Sequence, residues 1–215
     1  MVKPFSITIW GKNIIDLLEE IGFLLDKLLA VHCVNLREKD IERFAKYGVS
    51  ISHNPAPNLY LGSGIPPIAP AMKAGVNISI GTDGAASNNT TNMLESMKLA
   101  ALMQKGFYKK ASIITAGNIL DYVTIGGAKA LHKEKEIGTL EVGKKADIIL
   151  FNPDQLTSTP MHDPLATLVY SAEPANIYCT IINGKIVYYK GKFTNGVEEQ
   201  TVIENVKKEI AKLVK

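Results

Sequence analysis

Three short apolar runs, each leading to a residue capable of acid–base or metal chemistry, constrain this chain most. Leu28-Leu29-Ala30-Val31 stops at His32, and Val49-Ser50-Ile51-Ser52 stops at His53. Val76-Asn77-Ile78-Ser79-Ile80 leads through Gly81-Thr82 to Asp83. Between the first two runs, residues 38–47 carry Ile41, Phe44 and Ala45 at helical spacing and end at Gly48. Between the second and third, residues 69–74 read as a short helix ended by Gly75. Strand, helix, strand, helix, strand predicts parallel βαβ units with right-handed crossovers. The C-terminal ends of parallel strands share one rim, so His32, His53 and Asp83 are expected on that rim. Asp83 is followed by Gly84-Ala85-Ala86-Ser87-Asn88-Asn89, small and polar residues that let the backbone come close to a ligand.

The flanking segments are less diagnostic. Asn13 is placed to cap a helix with Asp16 at its third position, and Ile14, Leu17, Leu18 and Ile21 repeat at helical spacing up to Gly22. Residues 54–67, rich in Pro, Gly and Asn, read as a loop. Residues 92–105 predict a long helix in which Met93, Met97 and Met103 serve as core filler. Residues 113–131 predict one or two helices broken near Gly126-Gly127. The texture then changes. Residues 146–151, 177–182 and 185–189 read as strands, the last two joined by Asn183-Gly184, a type I′ hairpin signal. Residues 201–215 predict a closing helix with Val202, Val206, Ile210 and Leu213 on one face. The expected division is residues 11–134, 135–198 (a small β unit) and 199–215.

Composition excludes several classes. At 46% apolar and 21% charged residues the chain reads as an ordinary globular protein. A net charge of +3 with scattered lysines argues against nucleic acid as a partner. No apolar run reaches the ~18 residues of a membrane span, and the N-terminus lacks a signal-peptide pattern. The two cysteines, Cys33 and Cys179, form neither a CxxC nor a disulfide framework, so a reducing compartment, the cytoplasm, is expected. Both read as buried small hydrophobes. His132 reads as a surface residue and His162 as one that fixes its loop.

Several segments together resemble one family. They are Val31-His32-Cys33-Val34-Asn35-Leu36, Ser52-His53-Asn54-Pro55 through Asn58-Leu59, Gly62-Ser63-Gly64-Ile65-Pro66-Pro67, and Gly81-Thr82-Asp83-Gly84-Ala85-Ala86-Ser87-Asn88-Asn89. In this order they are similar to the amidohydrolase superfamily, and more narrowly to its 5′-methylthioadenosine/S-adenosylhomocysteine deaminase and chlorohydrolase branch. Ile125 to Leu131, Ile137 to Asp147, His162-Asp163-Pro164 and Asn183-Gly184-Lys185 fit the same family. The resemblance runs from about Gly11 to Phe193, with residues 1–10 outside it. It implies a (β/α)8 hydrolase barrel holding a divalent metal, usually zinc, of which this chain has about three C-terminal βα units and part of a small β domain. It also implies a hydrolase acting on non-peptide carbon–nitrogen bonds, deaminating a small-molecule adenosine-type nucleoside. By the same resemblance Asp83 is a metal ligand and general base. His32 faces the reacting group, and Ser87 is substrate-facing. His53 is a further candidate, either for lining the pocket and binding substrate or for orienting the Asn54-Pro55 loop.

The chain departs from that pattern in what it lacks. Its four histidines, His32, His53, His132 and His162, form no His-x-His and no His-x-x-Glu in a strand context. The branch takes three of its four metal ligands and its proton-shuttling Glu from those motifs. Asp83 and His32 fall short of the roughly four ligands zinc wants, so the lone chain is expected to hold metal weakly or not at all. Two readings stay open: a hydrolase half that works with a complementary N-terminal half, or a catalytically inactive remnant that self-associates.

Overall fold

The computed structural model describes residues 11–213. Strands β1 (Leu29–Val31), β2 (Ser50–His53) and β3 (Ile78–Ile80) form a parallel sheet in that order. Helix α1 (Ile14–Glu20) precedes β1, and α2 (Glu38–Tyr47) joins β1 to β2. Helices α3 (Pro55–Tyr60) and α4 (Ile68–Lys73) join β2 to β3. Helices α5 (Ala85–Asn88), α6 (Met93–Tyr108), α7 (Ala116–Val123) and α8 (Ile125–Ala130) follow. Strands β4 (Ile148–Phe151), β5 (Ile177–Ile182), β6 (Lys185–Tyr189) and β7 (Lys192–Phe193) form a second, antiparallel sheet in sequence order. Helix α9 (Pro164–Tyr170) lies between β4 and β5, and α10 (Glu199–Leu213) comes last. The protein is thus an α/β protein with one parallel and one antiparallel sheet. No described helix is long and apolar enough to cross a membrane.

Register decides which residues are core. Ile51 pairs with Ala30 and Ile78, and His53 with Ile80. Paired residues in a sheet point the same way, so Ala30, Ile51, His53, Ile78 and Ile80 share one face. That face is buried with Ile41 and Phe44 of α2, Ala69 and Ala71 of α4, and Met97, Ala100 and Ala101 of α6. Each fully buried large side chain here, such as Phe44 or Ile51, stabilises the fold by ~1.5–3 kcal/mol. The opposite face carries Leu29, Val31, Ser50, Ser52 and Ser79 and is largely polar. Gln104 of α6, fully buried, accepts from the Ala69 amide at 3.2 Å and donates to the Pro66 carbonyl at 3.0 Å. It thereby anchors the start of α4 to α6.

Several local expectations need correction. Residues 54–67 contain a helix, α3, where a loop was expected. Pro55 takes its first position and Pro57 its third, where neither ring displaces an intrahelical hydrogen bond. The break between α7 and α8 falls at Thr124, not at the glycine pair, and both Gly126 and Gly127 are helical. On α1 the buried residue is Ile15, while Ile14 and Ile21 are exposed, because Asp16 and Glu19 face the basic side chains of α2. Met97 and Met103 are core, whereas Met93 is 37% exposed. Helix α9 falls within the stretch expected to be β, and it packs on α6 and α7, with Val169 in the main core. The hairpin at Asn183-Gly184 has both residues at positive φ, as a type I′ turn requires. Residues 214 and 215 of the expected closing helix lie outside the described residues.

Gly126 is needed for close approach. A Cβ there would lie 2.2 Å from the Ile78 carbonyl oxygen, a backbone atom with little room to move. At Gly106, in α6, a Cβ would meet nothing within 4 Å. Gly126→Ala is therefore expected to destabilise by ~1–3 kcal/mol or more. Gly106→Ala is expected to stabilise by ~0.5–1 kcal/mol through helix propensity. Urea denaturation of the two variants, read as opposite shifts in midpoint at constant slope, checks both.

Candidate active site

The site lies where β1 and β3 end, on one rim. His32 follows β1 directly, and its amide still donates to the Ser52 carbonyl at 3.1 Å. The chain then turns sharply: His32 and the next residue, Cys33, adopt φ of 66° and 56°. Asp83 lies three residues past β3, at φ 60°. Non-glycine residues in the left-handed region are uncommon, and such backbone gathers at functional sites. Here the turns aim two side chains at each other. His32 Nε2 lies 3.6 Å from Asp83 Oδ2, with the side chains 41% and 30% exposed.

The loop after β2 supplies a third member. Asn58, in α3, is 1% exposed, and its Oδ1 lies 2.9 Å from His32 Nδ1. Two residues on, Tyr60 accepts from Asn89 Nδ2 at 3.1 Å. Helix α3 therefore braces the His32 turn at one end and the residues after Asp83 at the other. In the sequence Asn58 stands only as part of a family-like segment with no role of its own, because residues 54–67 read as a loop. The signal was present: prolines spaced to start a helix, with an amide one turn later.

Asp83 does not cap a helix. Its Oδ1 accepts from the adjacent Gly84 amide at 2.7 Å, which leaves Oδ2 toward His32. Asn88 donates to the Thr82 carbonyl at 2.7 Å and accepts from the Thr90 amide at 3.0 Å, fixing the loop around α5. Ser87 is half-buried in α5, with its amide donating to the Gly84 carbonyl at 2.9 Å.

His53 ends β2 but does not join His32 and Asp83. It is on the apolar face of β2 with Ile51, has no exposed surface, and neither ring nitrogen has a hydrogen-bond partner among the described residues. Burial pushes its pKa from 6.5 down to about 3. Burial pushes the Cys33 thiol up to about 12, away from the thiolate form. His132 is exposed, with Nε2 3.1 Å from the Asp26 carbonyl oxygen.

Among the described residues no three His, Cys, Asp or Glu side chains are grouped so as to hold a metal ion. Asp83 and His32 offer two donors, while zinc wants about four. This chain's own residues therefore do not fit a complete metal centre.

The amidohydrolase family model matches residues 1–187. The match thus takes in residues 1–10, which the sequence reading had left out of the resemblance. A 5-methylthioadenosine/S-adenosylhomocysteine deaminase of Desulforudis audaxviator is 43% identical over 205 residues, 95% of this chain and 47% of that protein. A 5′-deoxyadenosine deaminase of Methanosarcina barkeri is 42% identical, again over 95% of this chain and 47% of that protein. The crystal structure of an adenosine deaminase from Xanthomonas campestris with bound zinc superposes with a TM-score of 0.92 at 33% identity. It covers 94% of this chain and 46% of that one. Atrazine chlorohydrolase from Arthrobacter aurescens, complexed with zinc, gives a TM-score of 0.87 at 28% identity, covering 93% of this chain and 44% of that one. The chain spans about half the length of the curated relatives it matches.

His53 links stability to pH. Between pH 6.5 and about 3 the unfolded imidazole takes up a proton that the folded one refuses, so stability falls as pH falls through that window. The slope from this one group approaches ~1.4 kcal/mol per pH unit. His53→Leu removes that component. In denaturant titrations from pH 7 to pH 4 (roughly the range before general acid unfolding), wild type is expected to lose more stability than the variant, so the two curves separate as pH falls. Parallel curves would assign the acid sensitivity elsewhere.

Proposed function

The chain belongs to the amidohydrolase family, and on that premise we propose that it is the C-terminal half of a (β/α)8 hydrolase that deaminates an adenosine-type nucleoside, such as 5′-methylthioadenosine or S-adenosylhomocysteine. The observation that carries the reading is the pairing of His32 and Asp83 across 3.6 Å on the rim of a parallel sheet. The deaminase names of relatives more than 40% identical support the substrate class. The partial barrel is supported by sheet order, by strand direction, and by neighbours about twice as long.

In this reading water adds to the amino-bearing carbon of the purine, the carbon–nitrogen bond breaks, and ammonia leaves. The Asp83 carboxylate orients the attacking water and takes its proton. His32 Nε2, beside that carboxylate, holds or returns a proton on the leaving side. Ser87, in the helix that follows, faces the nucleoside. Asp83 also offers one ligand to a divalent metal, as zinc in the solved relatives suggests. The remaining ligands and the proton-shuttling Glu come from a complementary N-terminal segment bearing a His-x-His and a His-x-x-Glu strand. Strands β1 and β3, each of which pairs only with β2 among the described residues, are where the strands of that segment would add.

Two experiments test this. Equilibrium dialysis of the 215-residue chain against zinc is expected to find no stoichiometric tight binding, because two donors do not make a site. One tightly bound zinc per chain would show that the ligand set has been misread. Co-expression with an N-terminal amidohydrolase segment is expected to give a complex that releases ammonia from 5′-methylthioadenosine. Asp83→Asn should reduce release to background, and His32→Ala should lower kcat by roughly 10²–10⁴-fold with less loss of metal. Undiminished activity in Asp83→Asn would overturn the mechanism. A folded, metal-loaded complex inactive on every adenosine-type substrate would favour the inactive remnant.

A further inference from the structure

We propose that Asn58 is a positioning residue that holds the neutral His32 ring in its Nδ1–H form, so that Nε2 faces Asp83 as the proton-accepting nitrogen. This deepens the reading above, in which His32 carries a proton.

The argument starts from burial. Asn58 is 1% exposed, and its side chain has one hydrogen bond, between Oδ1 and His32 Nδ1 at 2.9 Å. Its Nδ2 is buried with no acceptor among the described residues. A buried amide with an unpaired end destabilises a fold relative to an apolar side chain of the same shape, so packing alone would favour leucine here. What the amide does at this position is fix the ring. An oxygen acceptor on Nδ1 requires a hydrogen there, and a neutral imidazole has only one.

The consequence falls on the other nitrogen. With Nδ1 carrying the hydrogen, Nε2 has a free lone pair at the rim, 3.6 Å from Asp83 Oδ2. The asymmetry is the one by which a third residue orients the base in nucleophile–histidine pairs. Without Asn58, the Asp83 carboxylate alone would draw the single hydrogen to Nε2. The ring would then face the reaction as a donor and could not accept a proton there.

The test reads the tautomer directly. The full chain, labelled with ¹⁵N at histidine, is examined by long-range ¹H–¹⁵N correlation at roughly pH 9, where ordinary imidazoles are neutral. His32 is assigned as the signal set lost in His32→Gln. The expected result is an Nδ1–H pattern in wild type. Asn58→Leu, which keeps the shape and removes the acceptor, is expected to convert the majority to Nε2–H while folding at least as stably. Asn58→Asp, still an acceptor, is expected to retain Nδ1–H. In the complex with an N-terminal segment, Asn58→Leu should lower kcat at least tenfold with KM within about twofold, and Asn58→Asp should recover part of the loss. An Nε2–H wild type overturns the proposal even if neither variant folds. So does an Asn58→Leu spectrum unchanged from wild type. Because the spectra need no activity, an inactive complex would strike the deaminase reading and leave the tautomer result standing.

Discussion

Parallel pairing of β1, β2 and β3 is the constraint from which the rest of the structure follows. Because all three strands run the same way, the turns after them open on one edge. His32, Asn58 and Asp83 come from the loops or helices after three different strands, yet they form one connected group. The same register sets which face is core. Ile51, Ile78 and Ile80 point to the helices, and Ser50, Ser52 and Ser79 point the other way. A slip of one residue would exchange those faces and turn the isoleucines to the polar side.

The entry to β1 is held by a charge lattice as well as by Ile15 and Leu24 in the core. Asp16 of α1 accepts from both Arg37 and Arg43, and Lys39 lies 3.4 Å away. The hydrogen bonds from Arg43 and Arg37 hold the Asp16 carboxyl far below the usual carboxylate range. Asp40, buried at the start of α2, takes the Arg37 guanidinium at 2.6 Å and the Arg37 amide at 3.0 Å. The pairing locks α1 to the first turn of α2, directly after the His32 turn. The segment that positions the site histidine is thus tied down at both ends, by the sheet and by this lattice.

Much of this was legible in the sequence, and what was not has physical causes. The three strands were marked by apolar runs and their stops, and the hairpin by Asn183-Gly184, because both signals are local. His32 and Asp83 were legible as rim residues because strand direction alone places them there. For His53 strand direction alone says less. Ending a strand puts a residue at the rim, but the alternation of faces decides whether it points to solvent, and His53 shares its face with Ile51. Helix α3 was hidden because prolines in a first turn look like loop residues until the helix is seen to start on them. The Gly126-Gly127 pair looked like a break because the reason for the first glycine, the Ile78 carbonyl, is nearly fifty residues away in sequence. Asn58 was hidden for both reasons, being in an unrecognised helix and bonded to a residue 26 positions earlier.

The energetics of the His32–Asp83 pair show what maintains it. A half-exposed pair of this kind contributes ~0–1 kcal/mol. The left-handed backbone at His32, Cys33 and Asp83 costs on the order of 1 kcal/mol or more at each residue. The attraction between the side chains is therefore too small to hold the turns that bring them together. The turns are held by their surroundings: the His32 amide on Ser52, the amide of Asn58 on the ring, the Asn88 bridge from Thr82 to Thr90, and α3 between the two loops. A geometry that the scaffold imposes against local preference, and that returns little stability by itself, is what a preorganised reaction site requires. The scaffold extends that support to two donors, His32 and Asp83, and to the amide of Asn58 beside them.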